Sequence, residues 1–185
     1  MAAGEYTYEP IQTFNITTNT QTVEFTSIPN TFTDLVLLFY GQGYAATSGG
    51  TVDSMVIRFN GSTSAIYGSW NVEGRGDGTR YAFKENADTG IKVPITAVSS
   101  QTQNPSLAKI DIQNYANSNA WKTCVGRYAL ENNGNATFDT RQAAGTIGGQ
   151  WRSTTSVTSI QLTTSAGAAT GFVSGRFTLY GIKAG

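Results

Sequence analysis

Short segments of alternating apolar and polar residues recur along this chain, separated by clusters of Gly, Asn, Ser and Thr. Such alternation is typical of half-buried β-strands, and no segment repeats apolar residues with the 3.6-residue period of a helix. The predicted strands cover residues 11–17, 22–25, 34–40, 54–60, 66–72, 79–83, 90–95, 107–115, 121–130, 138–147, 157–163 and 176–182. Many short strands separated by turns predict an all-β fold, an antiparallel β-sandwich of the jelly-roll type.

Individual segments also predict which side chains are buried. In the eighth predicted strand, Ala108, Ile110 and Ile112 share one face, opposite Lys109, Asp111 and Gln113. In the last predicted strand, Phe177 and Leu179 share a face in the same way. We therefore expect the last strand to be a central structural element and not a binding tail.

The segment 34–40 departs from this alternation because apolar side chains occupy both of its faces. One face carries Leu35, Leu37 and Phe39, and the other carries Val36, Leu38 and Tyr40. A strand of this kind needs a cover over its second face, since exposed apolar patches mark contact sites. Either a loop or insertion of the same chain or a neighbouring subunit would supply that cover.

Length and charge limit the classes of protein that this chain can belong to. Its 185 residues are predicted to form a single domain, 1–185, in which residues 1–10 are an N-terminal arm. Lys plus Arg and Asp plus Glu number 12 each, and charged residues make up only 13%. The basic surface of a nucleic-acid-binding protein is therefore not expected, and a net charge of zero favours self-association.

The chain has few of the residues that catalysis uses. It contains no histidine, and its single cysteine, Cys124, is predicted to be a small buried residue. A carboxylate pair for glycoside hydrolysis would have to come from Glu73, Asp77, Glu85 and Asp88, which lie in or beside predicted loops. We therefore expect no catalytic, cofactor-binding or metal-binding residues, and no enzymatic activity.

Two further features have both a structural and a functional interpretation. Residues 75–77 read Arg-Gly-Asp, an integrin ligand in extracellular proteins, but Asp77-Gly78 is a turn dipeptide, and we interpret the segment as a hairpin tip. The tryptophans Trp70, Trp121 and Trp151 would either stack on sugar rings or pack in the core and its rim. We interpret them as packing residues.

The sequence offers no sign of export or of membrane insertion. Its first residues lack the basic and apolar regions of a secretory signal. No apolar run approaches the ~20 residues of a membrane-spanning helix. We expect synthesis in a cytosol and no membrane partner.

Six segments resemble, in the same order, a family of small virion proteins of tailed bacteriophages. They are YTYEPI at 6–11, VEFTSIPNTFTDLVL at 23–37, VIRFNG at 56–61, WRST at 151–154, TSIQL at 158–162 and FTLYGIK at 177–183. The resemblance covers both ends and one central strand, and it does not place residues 81–105. These motifs are structural and not catalytic, so they specify the fold better than the activity.

The resemblance implies a jelly-roll component of the virion, synthesised in the host cytoplasm. The first hypothesis is a capsid decoration or cement protein on the capsid surface, with the major capsid protein and its own copies, most simply a trimer, as partners. The alternative is a tail-fibre or receptor-binding head that recognises a host surface glycan. A carbohydrate-active enzyme is a third and weaker hypothesis. The candidate residues for self-contact or capsid contact are Tyr6, Tyr8, Val36, Leu38, Tyr40 and Arg75.

Overall fold

Twelve β-strands make up the regular structure of the computed structural model, which describes residues 7–44, 51–98, 105–130, 142–165 and 171–183. In chain order they are β1 (Tyr8–Ile16), β2 (Val23–Phe25), β3 (Asp34–Tyr44), β4 (Thr51–Phe59), β5 (Tyr67–Arg75), β6 (Arg80–Asp88), β7 (Ile91–Val98), β8 (Ser106–Gln113), β9 (Lys122–Leu130), β10 (Ala143–Trp151), β11 (Ile160–Thr164) and β12 (Phe172–Ile182). The described residues contain no helix. The predicted all-β fold class is confirmed.

Hydrogen bonds connect all twelve strands in one sheet, in the order β2-β11-β4-β7-β3-β8-β9-β10-β5-β6, with β12 pairing both β3 and β1. The single parallel contact among the described strands joins Gly43 and Tyr44, at the end of β3, to Ala97 and Val98 of β7. Each of the other strand pairings is antiparallel. The sheet therefore consists of an eight-strand run, β1-β12-β3-β8-β9-β10-β5-β6, and a four-strand run, β2-β11-β4-β7, which meet at the end of β3.

The hydrophobic core collects one face of most strands. On β8, Ala108, Ile110 and Ile112 are buried, whereas Leu107 and Lys109 are exposed, as the alternation predicts. Side chains from both the eight-strand run and the four-strand run belong to one hydrophobic cluster. The core therefore includes side chains of both runs.

The last strand is central, as predicted. β12 pairs with β1 along one edge and with β3 along the other. Phe177 and Leu179 are fully buried, and the ring of Phe177 stacks on that of Phe39 at a centroid distance of 4.8 Å. The end of the chain thus completes the core.

Several strands extend beyond their predicted ends because a neighbouring strand supplies hydrogen-bonding partners. β1 begins at Tyr8, within the predicted arm 1–10, where it pairs with β12. β6 continues to Asp88 alongside β5, so that most of β6 and all of β7 occupy the segment 81–105 that the resemblance does not place. Residues 138–141, predicted as the start of the tenth strand, lie outside the described residues.

Three of the six segments that carry the resemblance, 56–61, 151–154 and 158–162, meet at one end of the core. Asn60 follows β4 with a left-handed φ of 52°, and its Oδ1 accepts hydrogen bonds from the backbone nitrogens of Thr158 (2.8 Å) and Ser159 (3.1 Å). Beside it, the ring centroids of Phe59 and Trp151 are 5.5 Å apart. These motif residues pack the fold together, in agreement with their interpretation as structural.

Candidate binding cleft and exposed sheet face

The second half of β5 has its polar side chains inside and its apolar side chains outside. Asn71 and Glu73 point to the interior and are 6% and 8% exposed. Trp70 and Val72, which alternate with them, are 44% and 58% exposed. This inversion creates two candidate functional surfaces, a polar cleft on the inner side of β5 and an apolar surface on the outer side.

The cleft lies between the inner face of the β5–β6 hairpin and the strands β4 and β7, and its volume is about 400 Å³. Small-molecule sites in proteins typically occupy about 300–1,000 Å³. The side chains that line it include Asp53, Ser69, Glu73, Arg75, Tyr81 and Phe83. The cleft thus combines charged, hydroxyl and aromatic groups in a volume that suits a small ligand.

Glu73 is the centre of a hydrogen-bond network at this cleft. Its Oε1 accepts a hydrogen bond from Nε of Arg75 at 2.7 Å, and its Oε2 accepts one from the Tyr128 hydroxyl at 2.5 Å. Asn71 Nδ2 donates to the same hydroxyl at 3.0 Å. Gly145 lies between the two strands, and a Cβ there would come within 2.8 Å of the Tyr128 oxygen. The missing side chain therefore lets Tyr128 reach Glu73.

Burial, together with the hydrogen bond to Glu73, raises the pKa of the Tyr128 hydroxyl. The hydroxyl therefore stays protonated and remains a donor to the carboxylate at physiological pH. Both oxygens of Glu73 are engaged, so this buried carboxylate holds Arg75 in place.

Arg75 in turn orients an aromatic side chain at the mouth of the cleft. Its Cζ lies 4.4 Å from the ring centroid of Tyr81, within the range of a cation–π contact. Tyr81 is still 41% exposed. Phe83, two residues further along the same face of β6, is half-buried and lines the same cleft.

Two polar atoms at the floor of the cleft have no hydrogen-bond partner among the described residues. One is Oγ of Ser69, a residue that is only 1% exposed, and the other is Oδ2 of Asp53. The second oxygen of Asp53, Oδ1, accepts hydrogen bonds from the Ser54 amide at 2.7 Å and from the Ser165 hydroxyl. Buried polar groups in proteins are nearly always paired, so these two atoms are candidates for hydrogen bonds to a ligand in the cleft.

Lys92 ties the β6 wall of the cleft to β7. Its Nζ lies 2.6 Å from Oε2 of Glu85 and 3.1 Å from Oδ2 of Asp88. Hydrogen bonding to Asp88, together with burial, raises the pKa of Glu85. Burial acts to raise the pKa of Asp88, but hydrogen bonds with Glu85, the Thr89 amide and Lys92 lower it overall. Burial acts to lower the pKa of Lys92, but its hydrogen bonds to both carboxylates raise it.

The structure corrects the predicted positions of two of the four candidate carboxylates. Glu73 lies within β5 and Glu85 within β6, instead of in or beside loops, because the hairpin is longer than predicted. Asp88 is the last residue of β6, beside the following turn, as expected. Asp77 does lie in the turn, where its Oδ1 accepts a hydrogen bond from the Thr79 amide at 2.7 Å. The interpretation of residues 75–77 as a hairpin tip is confirmed.

The predicted contact residues do not form one surface. Tyr6 lies outside the described residues, Tyr8 and Tyr40 are 48% and 57% exposed, Leu38 is half-buried, Val36 is 2% exposed, and Arg75 lines the cleft. Val36, Leu38 and Tyr40 share the outer face of β3. Arg75 is on the inner face of β5 and is therefore separated from them.

The chain itself covers part of the second apolar face of β3. The cross-strand neighbours of Val36 are Tyr180 on β12 and Asp111 on β8. Tyr8 packs edge to face on Tyr180, with ring centroids 6.2 Å apart. The cover over Val36 thus comes from β1 and β12, whereas Tyr40 at the other end of β3 stays exposed.

Two separate pairs of large apolar side chains lie on the outer face of the eight-strand run, and Lys109 of β8, paired with Arg127 of β9, lies between them. Tyr40 on β3 is paired with Leu107 on β8, which is 53% exposed. Val125 on β9 is 51% exposed, and only Gly148 lies between it and Trp70 in the register. A Cβ on Gly148 would lie 2.2 Å from Nε1 of Trp70, so the glycine allows the indole to lie against β10. We call these two pairs together, Tyr40 with Leu107 and Val125 with Trp70, the outer apolar band.

The remaining candidate residues divide between core and surface. Trp151 is 3% exposed and packs as predicted, whereas Trp70 and Trp121 are about half exposed. Cys124 is fully buried, which raises the pKa of its thiol and confirms its prediction as a small core residue. Lys122, which sequence reasoning missed, is also fully buried, and its Nζ donates to the carbonyl oxygens of Asn117, Ala120 and Thr154.

Within the described ranges, no group of three or more His, Cys, Asp or Glu side chains is placed to hold a metal ion. The same part of the chain contains no helix long and apolar enough to cross a membrane. Comparison of the chain with protein-family models, with curated proteins and with solved structures finds no match.

Proposed function

We propose that this chain is a non-enzymatic structural protein of a bacteriophage virion, which decorates the outer surface of the capsid and stabilises the shell. The outer apolar band carries the proposal. Four large side chains are about half exposed on one sheet face, in a chain whose net charge is zero. Exposed apolar surfaces of this kind mark protein–protein contacts, and low net charge does not oppose association.

Contacts between the two runs of strands support a jelly-roll sandwich. The Tyr67 hydroxyl on β5 accepts a hydrogen bond from the Phe59 amide at the end of β4, at 2.9 Å. A Cβ on Gly149 of β10 would lie 2.6 Å from the side chain of Ile91 on β7. Each contact joins the eight-strand run to the four-strand run across the core. Such contacts favour two packed layers, with the β3–β7 pairing at one corner.

The proposed mechanism is linked binding. A subunit that binds only the assembled shell stabilises it by mass action, and several linked subunits gain avidity. The partners are the major capsid protein and further copies of this chain, with a trimer as the simplest assembly. Of the predicted contact residues, Tyr40 and Tyr8 are exposed enough to take part.

The pairing of the candidate carboxylates supports a role without catalysis. Glu73 is engaged by Arg75 and Tyr128, and Glu85 and Asp88 are paired with Lys92. Two free carboxyl groups flanking a substrate are the requirement for glycoside hydrolysis. Incubation with host polysaccharides and peptidoglycan should give no turnover. Hydrolysis abolished by changing one of Glu73, Asp77, Glu85 or Asp88 would refute this part of the proposal.

The location of the protein in purified particles tests the capsid role. We expect hundreds of copies per virion by quantitative mass spectrometry, density for this fold on the outer shell in a particle reconstruction, and a lower disruption temperature for particles that lack the protein. A handful of copies at the tail would overturn the capsid assignment.

A tail-fibre or receptor-binding head is the second candidate function, and the cleft is the observation that favours it. Ser69 Oγ and Asp53 Oδ2 have no hydrogen-bond partner within the described ranges, and both residues line a cleft with aromatic walls. Decoration of a shell does not require such a site. Copy number separates the two functions, because a tail component is present in only a few copies.

A further inference from the structure

We propose that the cleft between β5–β6 and β4–β7 binds a neutral saccharide. The inference goes beyond the proposed capsid role. It also names a binding site for the second candidate function, the receptor-binding head, which would rest on this site. Binding of a sugar by the purified chain does not depend on where the virion carries the protein. Failure of the sugar-binding test and failure of the capsid assignment are therefore separate results.

The floor of the cleft specifies the hydrogen-bonding character of the ligand. Asp53 Oδ2 is an acceptor, and Ser69 Oγ can both donate and accept, yet neither has a partner among the described residues. A ligand that satisfies both must carry a donor and a second polar group a short distance apart. Neighbouring hydroxyl groups on a sugar ring supply this pair, because each hydroxyl donates one hydrogen bond and accepts others.

The walls of the cleft specify an apolar surface on the same ligand. Tyr81 and Phe83 are two residues apart on β6, and both line the cleft. The Arg75 guanidinium, held by Glu73, lies over the Tyr81 ring and orients it. Sugar rings have this dual character, with an apolar face of C–H groups and a polar edge of hydroxyl groups, and aromatic rings pack against such faces.

The charges at the cleft favour a neutral ligand. Arg75 is paired with Glu73, and Lys92 with Glu85 and Asp88, so the two nearby cations already have carboxylate partners. An anionic ligand would meet the Asp53 carboxylate at the floor, and a cationic ligand would meet Arg75 and Lys92 on the walls. A neutral polyhydroxylated ring avoids both repulsions.

Saturation-transfer NMR on the full chain tests this directly. The probes are D-glucose, D-galactose, L-rhamnose and N-acetyl-D-glucosamine as neutral sugars, with glucuronic acid as the anionic probe and choline as the cationic probe. We expect saturation transfer to at least one neutral sugar at millimolar concentration and none to the charged probes. Transfer to none of the neutral sugars, or stronger transfer to a charged probe, would overturn the proposal.

Substitutions in the cleft locate the site. Ser69→Ala should weaken binding of the responding sugar about tenfold, the effect of one lost hydrogen bond. Because the hydroxyl has no hydrogen-bond partner among the described residues, the same substitution should raise the thermal midpoint. A lower midpoint would show that the hydroxyl has a partner within the fold, and would overturn the premise.

A second pair of variants keeps the test independent of Ser69. Tyr81→Ala should abolish saturation transfer, whereas Tyr81→Phe, which keeps the ring, should preserve it. Trp121→Ala is the matched control, since Trp121 is 50% exposed but does not line the cleft. Unchanged binding in Tyr81→Ala, or equal loss in Trp121→Ala, would place the sugar elsewhere and overturn the assignment.

Discussion

At the residue scale, position on the inner or outer face of a strand decides how much a side chain contributes to stability. Leu179 on β12 is fully buried and is paired with Leu37 of β3, whereas Leu107 on β8 is 53% exposed. Leu179→Ala should lower the free energy of unfolding by about 2–5 kcal/mol, because it removes core contacts and leaves a cavity. Leu107→Ala, the matched control, should change it by less than about 0.5 kcal/mol. Equal losses in chemical denaturation would contradict the assignment of faces.

Buried tyrosines predict a loss of stability at alkaline pH. Burial raises the pKa of Tyr67, Tyr115 and Tyr128 above the ordinary value of 10.0. Below pH 10 the three hydroxyls are protonated in both the folded and the unfolded chain, so their full contribution is present. Above that pH the unfolded chain loses protons first, and the free energy of unfolding falls by about 1.4 kcal/mol per pH unit for each tyrosine involved.

Denaturation curves recorded from neutral to alkaline pH measure this effect. Tyr128→Phe should make the alkaline decline less steep, and it should also lower stability at neutral pH because Glu73 loses a buried donor. Tyr40→Phe is the control, since Tyr40 is 57% exposed. A decline of unchanged steepness in Tyr128→Phe would show that this hydroxyl does not ionise late in the folded protein.

At the scale of elements, β12 is the strand on which the eight-strand run depends. It has a hydrogen-bonded neighbour along each edge, β1 and β3, and its inner face is core. Deletion of residues 176–185 should prevent folding, because it exposes the hydrogen-bonding groups of both neighbours and removes Phe177 and Leu179 together. Circular dichroism and thermal unfolding measure the outcome. A truncated chain that melts like the full-length protein would contradict the central position of β12.

A second truncation serves as the comparison. Deletion of residues 1–4, which precede β1, should leave the thermal midpoint unchanged, because β1 keeps its pairing with β12 from Tyr8 onward. On the capsid hypothesis this deletion weakens binding to particles and nothing else. Unfolding caused by this deletion would mean that the first residues contribute to the core.

At the scale of the whole molecule, the outer apolar band predicts a symmetric homo-oligomer, most simply a trimer. Closed symmetry is the norm for homo-oligomers, and burial of Leu107 and Val125 between subunits would account for their exposure in the single chain. Val125→Lys should shift the molecular mass measured by light scattering toward the monomer without loss of folded structure. Thr89→Lys, an exposed position at the turn after β6, should not change the mass. A monodisperse monomer of the unmodified chain would contradict the prediction.

Local alternation in the sequence determined which segments become strands and, for β8 and β12, which face is buried. The period of two follows from the backbone of an extended chain, so it is visible without knowledge of the neighbours. The hairpin tip at Asp77-Gly78 was predictable for the same reason, because turn chemistry is local. Burial of Cys124 followed from its small apolar character.

Only the tertiary structure decided which way β5 faces. Alternation alone shows that Trp70 and Val72 oppose Asn71 and Glu73, and hydrophobicity would place the tryptophan inside. The partners that reverse this choice are Tyr128 on β9 and the glycines of β10, which lie far away in sequence. The cleft and the pairing of Glu73 with Arg75 depend on those long-range contacts. So does the position of the Ser69 hydroxyl, which has no hydrogen-bond partner in the part of the chain that the structure describes. The sequence by itself therefore determined the strands and most of the core, and the fold determined the candidate site, because a binding site is a property of residues that meet only after the chain has folded.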